Sequence, residues 1–430
     1  MRNHRSARSA SLLTAARRML LPLAVVLAVL ATSGWITRTE SPAPGTWTAE
    51  LQGWQRHALA GVPLADADAP PQEIAQFFGT LGHRKQLLLA ERFPLVVGNL
   101  DGAPAEVRYA ANRHALLRAR AQERERMRDE RLSPAGQHEA GRRMHRFDSL
   151  LRDDRQILAF DPHGRGRAAE VFGDLDLARR ISVVVPGVDT DLLTFERTRL
   201  KYRAPSGMAE ALHEEQQATR TAGNTAVIAW ADYTSPRGVG VAAATGDLAK
   251  EGAERLADTV RGLPGESTVA LFCHSYGSVV CGLSAERLPG RVTDIAVSGS
   301  PGMRVSHAGE LGTDARVWAA RAGNDWVGDL PHLAVGPLGH GIDPVHPSFG
   351  ARRLGAGPTG GHAGYFVPGS DSLRNFARIG VGDLDALRWD ADMAYCAPEG
   401  PMGRSVWNTR HIPAERRTHV SVGAYDDSHG

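Results

Sequence analysis

Five short runs of mostly apolar residues, separated by helical stretches or loops, dominate the second half of the chain. They are residues 181–185 (ISVVV), 226–230 (AVIAW), 268–272 (TVALF), 294–298 (DIAVS) and 316–321 (RVWAAR). A strand that is apolar on both faces must be covered on both, which is the condition of a parallel sheet between two layers of helices. Helical segments fit at 209–220, 248–261 and 278–287, and an antiparallel hairpin opens the sheet, from 156–161 through a glycine-containing turn at 163–167 to 168–172. The expected architecture is a three-layer α/β domain over residues 155–380.

The flanks read differently. Residues 1–36 place Arg2, Arg5, Arg8, Arg17 and Arg18 before an apolar run from Met19 to Ile36. Basic residues ahead of such a run are the pattern of an export signal, or of an anchor if it is not cleaved. The small residues Ala31, Thr32 and Ser33 resemble a cleavage site, and the remainder is expected outside the cytoplasm, secreted or held at the cell membrane. Residues 37–154 read as a linker and a helical region, with helices over 105–131 and 137–153; the polar stretch 118–131 is expected to be solvated. Residues 381–430 form an extension without a confident pattern. The 50 basic and 48 acidic residues nearly cancel, so no global attraction to nucleic acid follows. Of three cysteines, Cys273 and Cys281 flank a strand-to-helix turn and read as packing residues; at most one internal pair can form.

That turn carries the chemistry. Residues 268–278 (TVALFCHSYGS) run from a buried strand through Ser275 into an apolar helix, the context of a nucleophile elbow. Such a turn needs small residues on both sides of the serine. Gly277 fits, whereas Cys273 stands where the pattern usually has glycine. The turn exposes the Ser275 hydroxyl and aims the Tyr276 amide at a developing oxyanion. The Pro186-Gly187 turn that ends the 181–185 strand offers Val188 N–H as a second donor.

In the α/β-hydrolase fold the acid and then the histidine follow the serine. Asp325 follows the 316–321 strand most closely, with Asp329 and Asp343 as competitors. His362 lies in a glycine-rich loop late in the domain, and His340 and His346 also lie in loops. A metal site from His332, His340 and His346 with nearby aspartates lacks any paired ligand spacing.

Together these segments resemble an actinobacterial family of exported α/β-hydrolases of uncharacterised function. The resemblance rests on 89–104 (LAERFPLVVGNLDGAP), Arg108, 111–113 (ANR), 185–187 (VPG), Ala229-Trp230 with Tyr233, 274–278 (HSYGS), 298–302 (SGSPG), 318–327 and 361–366 (GHAGYF). It implies a triad of Ser275, Asp325 and His362, and a helical N-terminal part packed on the hydrolase domain. The expected activity is hydrolysis of carboxylic esters, or of thioesters or lipids, without a cofactor. The alternative is a surface-anchored interaction protein on a catalytically weak hydrolase scaffold, and a metal-dependent hydrolase stands third. No segment reads as a lid of lipid-binding character.

Overall fold

The computed structural model describes residues 46–59, 62–219 and 223–389. The expected export segment, the first part of the linker and most of the C-terminal extension therefore lie outside the described residues. Among the described residues no helix is long and apolar enough to cross a membrane.

Eight strands form one sheet. In chain order they are β1 (Gln156–Asp161), β2 (Arg167–Phe172), β3 (Arg180–Val185), β4 (Thr225–Ala231), β5 (Thr268–His274), β6 (Val292–Ser298), β7 (Arg316–Ala320) and β8 (Arg352–Leu354). Their order across the sheet is β8-β7-β6-β5-β3-β4-β2-β1. Pairing is parallel from β8 to β4, and β2 runs antiparallel to both β4 and β1. Side chains alternate between two cores. Val183, Val185 and Leu271 join one cluster, while Val184 and Phe272 join the other. This is why the central strands read as continuous apolar runs rather than as alternating ones.

Six helices precede the sheet: α1 (Thr46–Arg56), α2 (Pro71–Gly79), α3 (His83–Arg92), α4 (Pro94–Gly98), α5 (Ala105–Arg126) and α6 (Pro134–Leu150). They hold a third cluster around Trp54, Phe78 and Val97. They also close the free edge of β1. Asn99 donates to Phe160 O at 2.9 Å and accepts from Phe160 N–H at 3.1 Å, pairing like a further strand residue. Asn112, fully buried in α5, donates to Ile157 O at 2.9 Å and to Gly98 O at 3.0 Å. An unpaired sheet edge buried without partners is costly, and two amides meet that need here.

Helix α5 ends at Arg126 rather than 131, and its second half is not wholly solvated. Glu123 is buried because Arg143 of α6 reaches it at 2.7 Å. Four helices pack on the sheet: α7 (Pro205–Gln217), α8 (Asp247–Arg261), α9 (Gly277–Ser284) and α10 (Asp371–Val381). Strand β8 and helix α10 are additions to the sequence reading.

Cys273 at the end of β5 and Cys281 in α9 are joined by a disulfide, with both residues buried. This corrects their reading as packing residues alone: the departure from glycine at position 273 is one half of a covalent staple across the turn that carries Ser275.

Asn99→Ala and Asn112→Ala each leave edge groups of β1 without a partner, so each is expected to lower unfolding free energy by about 1–3 kcal/mol in chemical denaturation. Cys281→Ser opens a short loop and is expected to cost about 2–3 kcal/mol in the same measurement, with the loss reproduced by reductant on the wild type.

Candidate active site

Ser275 follows β5 directly and has φ +56°, the left-handed region that non-glycine residues seldom adopt. Neighbouring backbone makes that conformation binding. A Cβ on Gly277 would stand 2.3 Å from Val185 O, and one on Gly187 would stand 2.6 Å from Ser275 Cβ. Only glycine at both positions lets the turn, the start of α9 and the end of β3 approach so closely. Ser275 N–H donates to Ser298 O at 3.0 Å, tying the turn to the end of β6 as well.

The structure brings Ser275, His362 and Asp325 into one hydrogen-bonded line. His362 Nε2 lies 2.9 Å from Ser275 Oγ, and His362 Nδ1 lies 2.9 and 3.1 Å from the two oxygens of Asp325. Asp325 is buried, and burial alone would raise its pKa. Hydrogen bonds from His362, the Tyr365 hydroxyl and the Val327 amide outweigh burial and hold the carboxyl at about 2, so it is an anion at neutral pH.

The competitors go elsewhere. Asp343 pairs with Arg321, and Asp329 is exposed. His340 Nε2 faces Ala243 O at 2.7 Å, His332 Nε2 faces Val327 O at 3.1 Å, and His346 Nδ1 faces Ser348 Oγ at 2.7 Å. Among the described residues no group of three or more His, Cys, Asp and Glu side chains could hold a metal ion.

Two backbone amides flank Ser275. Tyr276 N–H follows it in the chain, and Val188 N–H follows Gly187; among the described residues neither has an acceptor. The loop bearing Val188 is held from behind. Tyr233 OH donates to Pro186 O at 2.7 Å and to Gly187 O at 3.2 Å, and Thr190 Oγ1 donates to Gly187 O at 3.0 Å. The carbonyls of this turn are thereby engaged and its amide is left free.

Four further residues build the site, and sequence reasoning assigned a role to none of them. Tyr365 OH donates to Asp325 at 2.5 Å and accepts from Ala322 N–H at 3.0 Å, and burial with the bond to Asp325 pushes its phenol well above its ordinary range. His274 is fully engaged behind the base. Burial and the adjacent His362 ring pull its pKa down to about 3, so it is neutral, and its Nε2–H donates to His362 O at 2.6 Å. Gly299, at φ +53°, leaves space that a Cβ would take from Asp325 Oδ2 (2.7 Å) and His362 Nδ1 (2.9 Å). Trp326 is exposed, with its ring centroid 5.0 Å from that of His362. Position +1 after the candidate acid was the available signal for Trp326. The others needed the fold.

The family comparison agrees with this architecture. Residues 161–335 match a family described as Alpha/beta hydrolase. An uncharacterized protein of Mycobacterium tuberculosis, present in two strains, is 29% identical over 409 residues, covering 77% of this chain and 58% of the relative. The chain thus spans 58% of the length of that relative. An uncharacterized protein of Mycobacterium bovis is 29% identical over 152 residues, covering 34% of this chain and 56% of its own. Among solved structures, a dienelactone hydrolase from Anabaena variabilis aligns at TM-score 0.32 with 16% identity, covering 52% of this chain and 93% of that one. A serine hydrolase without lid from Xanthomonas campestris aligns at TM-score 0.31 with 15% identity, covering 54% and 95%. The sheet is that of the α/β-hydrolase fold, and over residues 161–335 the chain is similar to the Alpha/beta hydrolase family, as it is to uncharacterised mycobacterial relatives.

Proposed function

We propose that the protein is a serine hydrolase that cleaves carboxylic esters through an acyl-enzyme on Ser275. The observation that carries this reading is the line from Ser275 Oγ through His362 to the Asp325 carboxylate, with contacts of 2.9 Å on both sides of the imidazole. Asp325 accepts from Nδ1–H and so leaves Nε2 as the basic nitrogen toward Ser275. In the forward step Nε2 takes the hydroxyl proton as Oγ bonds to the ester carbonyl carbon. The carbonyl oxygen becomes an oxyanion between the Tyr276 and Val188 amides. Collapse expels the alcohol, which takes its proton from Nε2. Water then attacks the acyl-enzyme by the same route, releasing the acid and restoring Ser275.

The same constellation hydrolyses thioesters and amides, so the bond cleaved follows from the substrate held rather than from these residues. We also propose an extracytoplasmic location. The arginines before the 19–36 apolar run motivate it, and the Cys273–Cys281 disulfide supports it, because such bonds persist in oxidising compartments.

A fluorophosphonate probe is expected to label the wild type and neither Ser275→Ala nor His362→Ala. Ester turnover is expected to fall by about 10⁴-fold or more in those variants and by about 10⁴-fold in Asp325→Asn. A folded wild type that takes no label would overturn the assignment. Gly299→Ala is expected to keep the fold but part His362 from Asp325. The low-field proton resonance of His362 Nδ1–H, present in the wild type, should then disappear together with labelling.

A further inference from the structure

Among the described residues most large apolar side chains are buried, but several exposed ones lie on the loops at the sheet end that carries Ser275. Residues 333–338 (LAVGPL) are all exposed or half-buried and carry no charge. Leu333 and Val335 are 64% and 72% accessible, and Leu338 is also exposed. Residues 239–244 (VGVAAA) are likewise uncharged and exposed or half-buried, with Val239 at 69%. Uninterrupted apolar runs facing water are uncommon on soluble proteins unless they have a use.

The two runs are far apart in sequence, but they follow the parallel strands β4 and β7 and so lie at the sheet end where Ser275 follows β5. His340, just after the first, donates through Nε2–H to Ala243 O of the second, 2.7 Å away, and its ring packs edge-on against Tyr276 at 5.7 Å. Tyr276 OH donates to Thr245 O at 3.0 Å, at the end of the second run. At its start, Gly238 N–H donates to Asp189 at 2.8 Å, next to Val188. The 239–244 run is thus tied at its end to the side chain of the residue after Ser275 and at its start to the residue after Val188. The backbone of the 333–338 run is fixed by Arg304, whose guanidinium donates to Pro337 O at 3.1 Å and also to Gly339 O. Exposed Trp326 adds an apolar ring on the His362 side.

We infer that the substrate is an ester with a long apolar acyl chain, and that the chain lies on the platform made by residues 239–244 and 333–338. This rests on the serine hydrolase reading above. An acyl group bound to Ser275 has its carbonyl at the Tyr276 and Val188 amides, and the platform is held to those same two segments through the Tyr276 side chain and Asp189. Of the two halves of the ester, the acyl group is the one that stays on Ser275 after the alcohol has left, so an apolar surface at this end of the sheet holds it through both steps. Apolar contact along the chain then adds affinity with every methylene.

The test uses p-nitrophenyl acetate and p-nitrophenyl decanoate with the full chain, alongside fluorophosphonate labelling. Wild-type kcat/KM is expected to be about tenfold or more higher for decanoate. The double variant Val335→Ser with Leu338→Ser should lower the decanoate-to-acetate ratio about tenfold. Leu177→Ser, an exposed leucine at the opposite end of β3, should leave that ratio unchanged. A wild type that labels on Ser275 but shows no chain-length preference, or whose preference the double variant does not move, would overturn the inference and leave the hydrolase reading standing. A dimer that the double variant dissociates without changing the ratio would overturn it too, by assigning the face to a second copy. Absence of labelling would remove both.

Discussion

The close approach of three backbone segments at Ser275 is the constraint on which the rest of the site depends. Strand β5, the start of α9 and the loop after β3 meet where Gly277 and Gly187 leave no room for a side chain. That contact forces Ser275 to φ +56°. Such backbone strain persists only where surrounding structure over-determines it. Here the Ser275 amide is held by Ser298, and the disulfide from Cys273 to Cys281 closes the turn covalently. With the serine fixed, the amides of Tyr276 and Val188 need no reorganisation to face an oxyanion, and preorganised donors of this kind contribute most when their cost has been met in folding.

Behind the serine, the polar groups are arranged so that one proton position is preferred. A buried carboxylate without partners would be expensive, and Asp325 has three donors. One of them, Tyr365, is itself tied to Ala322 N–H, so the acid is anchored to the end of β7 and to the loop that bears His362. His274 acts on the other side of the imidazole. Its neutral ring holds the His362 carbonyl, which limits how far the loop can carry the base away from Ser275. Gly299 completes the arrangement by absence of a side chain.

Much of this is legible in the sequence. The five apolar runs are β3 to β7, and the hairpin at 156–172 is β1 and β2, because full burial on both faces and turn glycines leave strong local signals. Other features are legible only in three dimensions. Strand β8 is three residues long, reads Arg-Arg-Leu, and is recognisable only through its pairing with β7. Helix α10 does leave a signal, with Ser370 capping its start and Gly382 at φ +78° ending it, but the glycine-rich loops before it mask that signal. The burial of Glu123 needs its partner Arg143, twenty residues away in a different helix. Two cysteines eight residues apart could be bonded or merely close, and only the geometry of a strand folding back onto its helix decides between those.

The apolar platform shows why no lid can be read from the chain. A lid is usually sought as one amphipathic helix, apolar along a single face. Here the apolar surface comes from two short runs about ninety residues apart in sequence, and the one helix in them, Val241–Ala244, is a single turn, too short to present an amphipathic face. The run at 333–338 contains Gly336 and Pro337, residues that on composition alone indicate an ordinary turn. What distinguishes it is the lack of any polar side chain on an exposed loop, and its continuation into His340, which packs against Tyr276. Loops at the ends of parallel strands carry the variable part of such folds while the sheet supplies a fixed frame. The residues around Ser275 thus follow from packing requirements of the sheet, whereas the composition of these loops answers to no requirement of the core, which is why the proposed choice of substrate is placed on them.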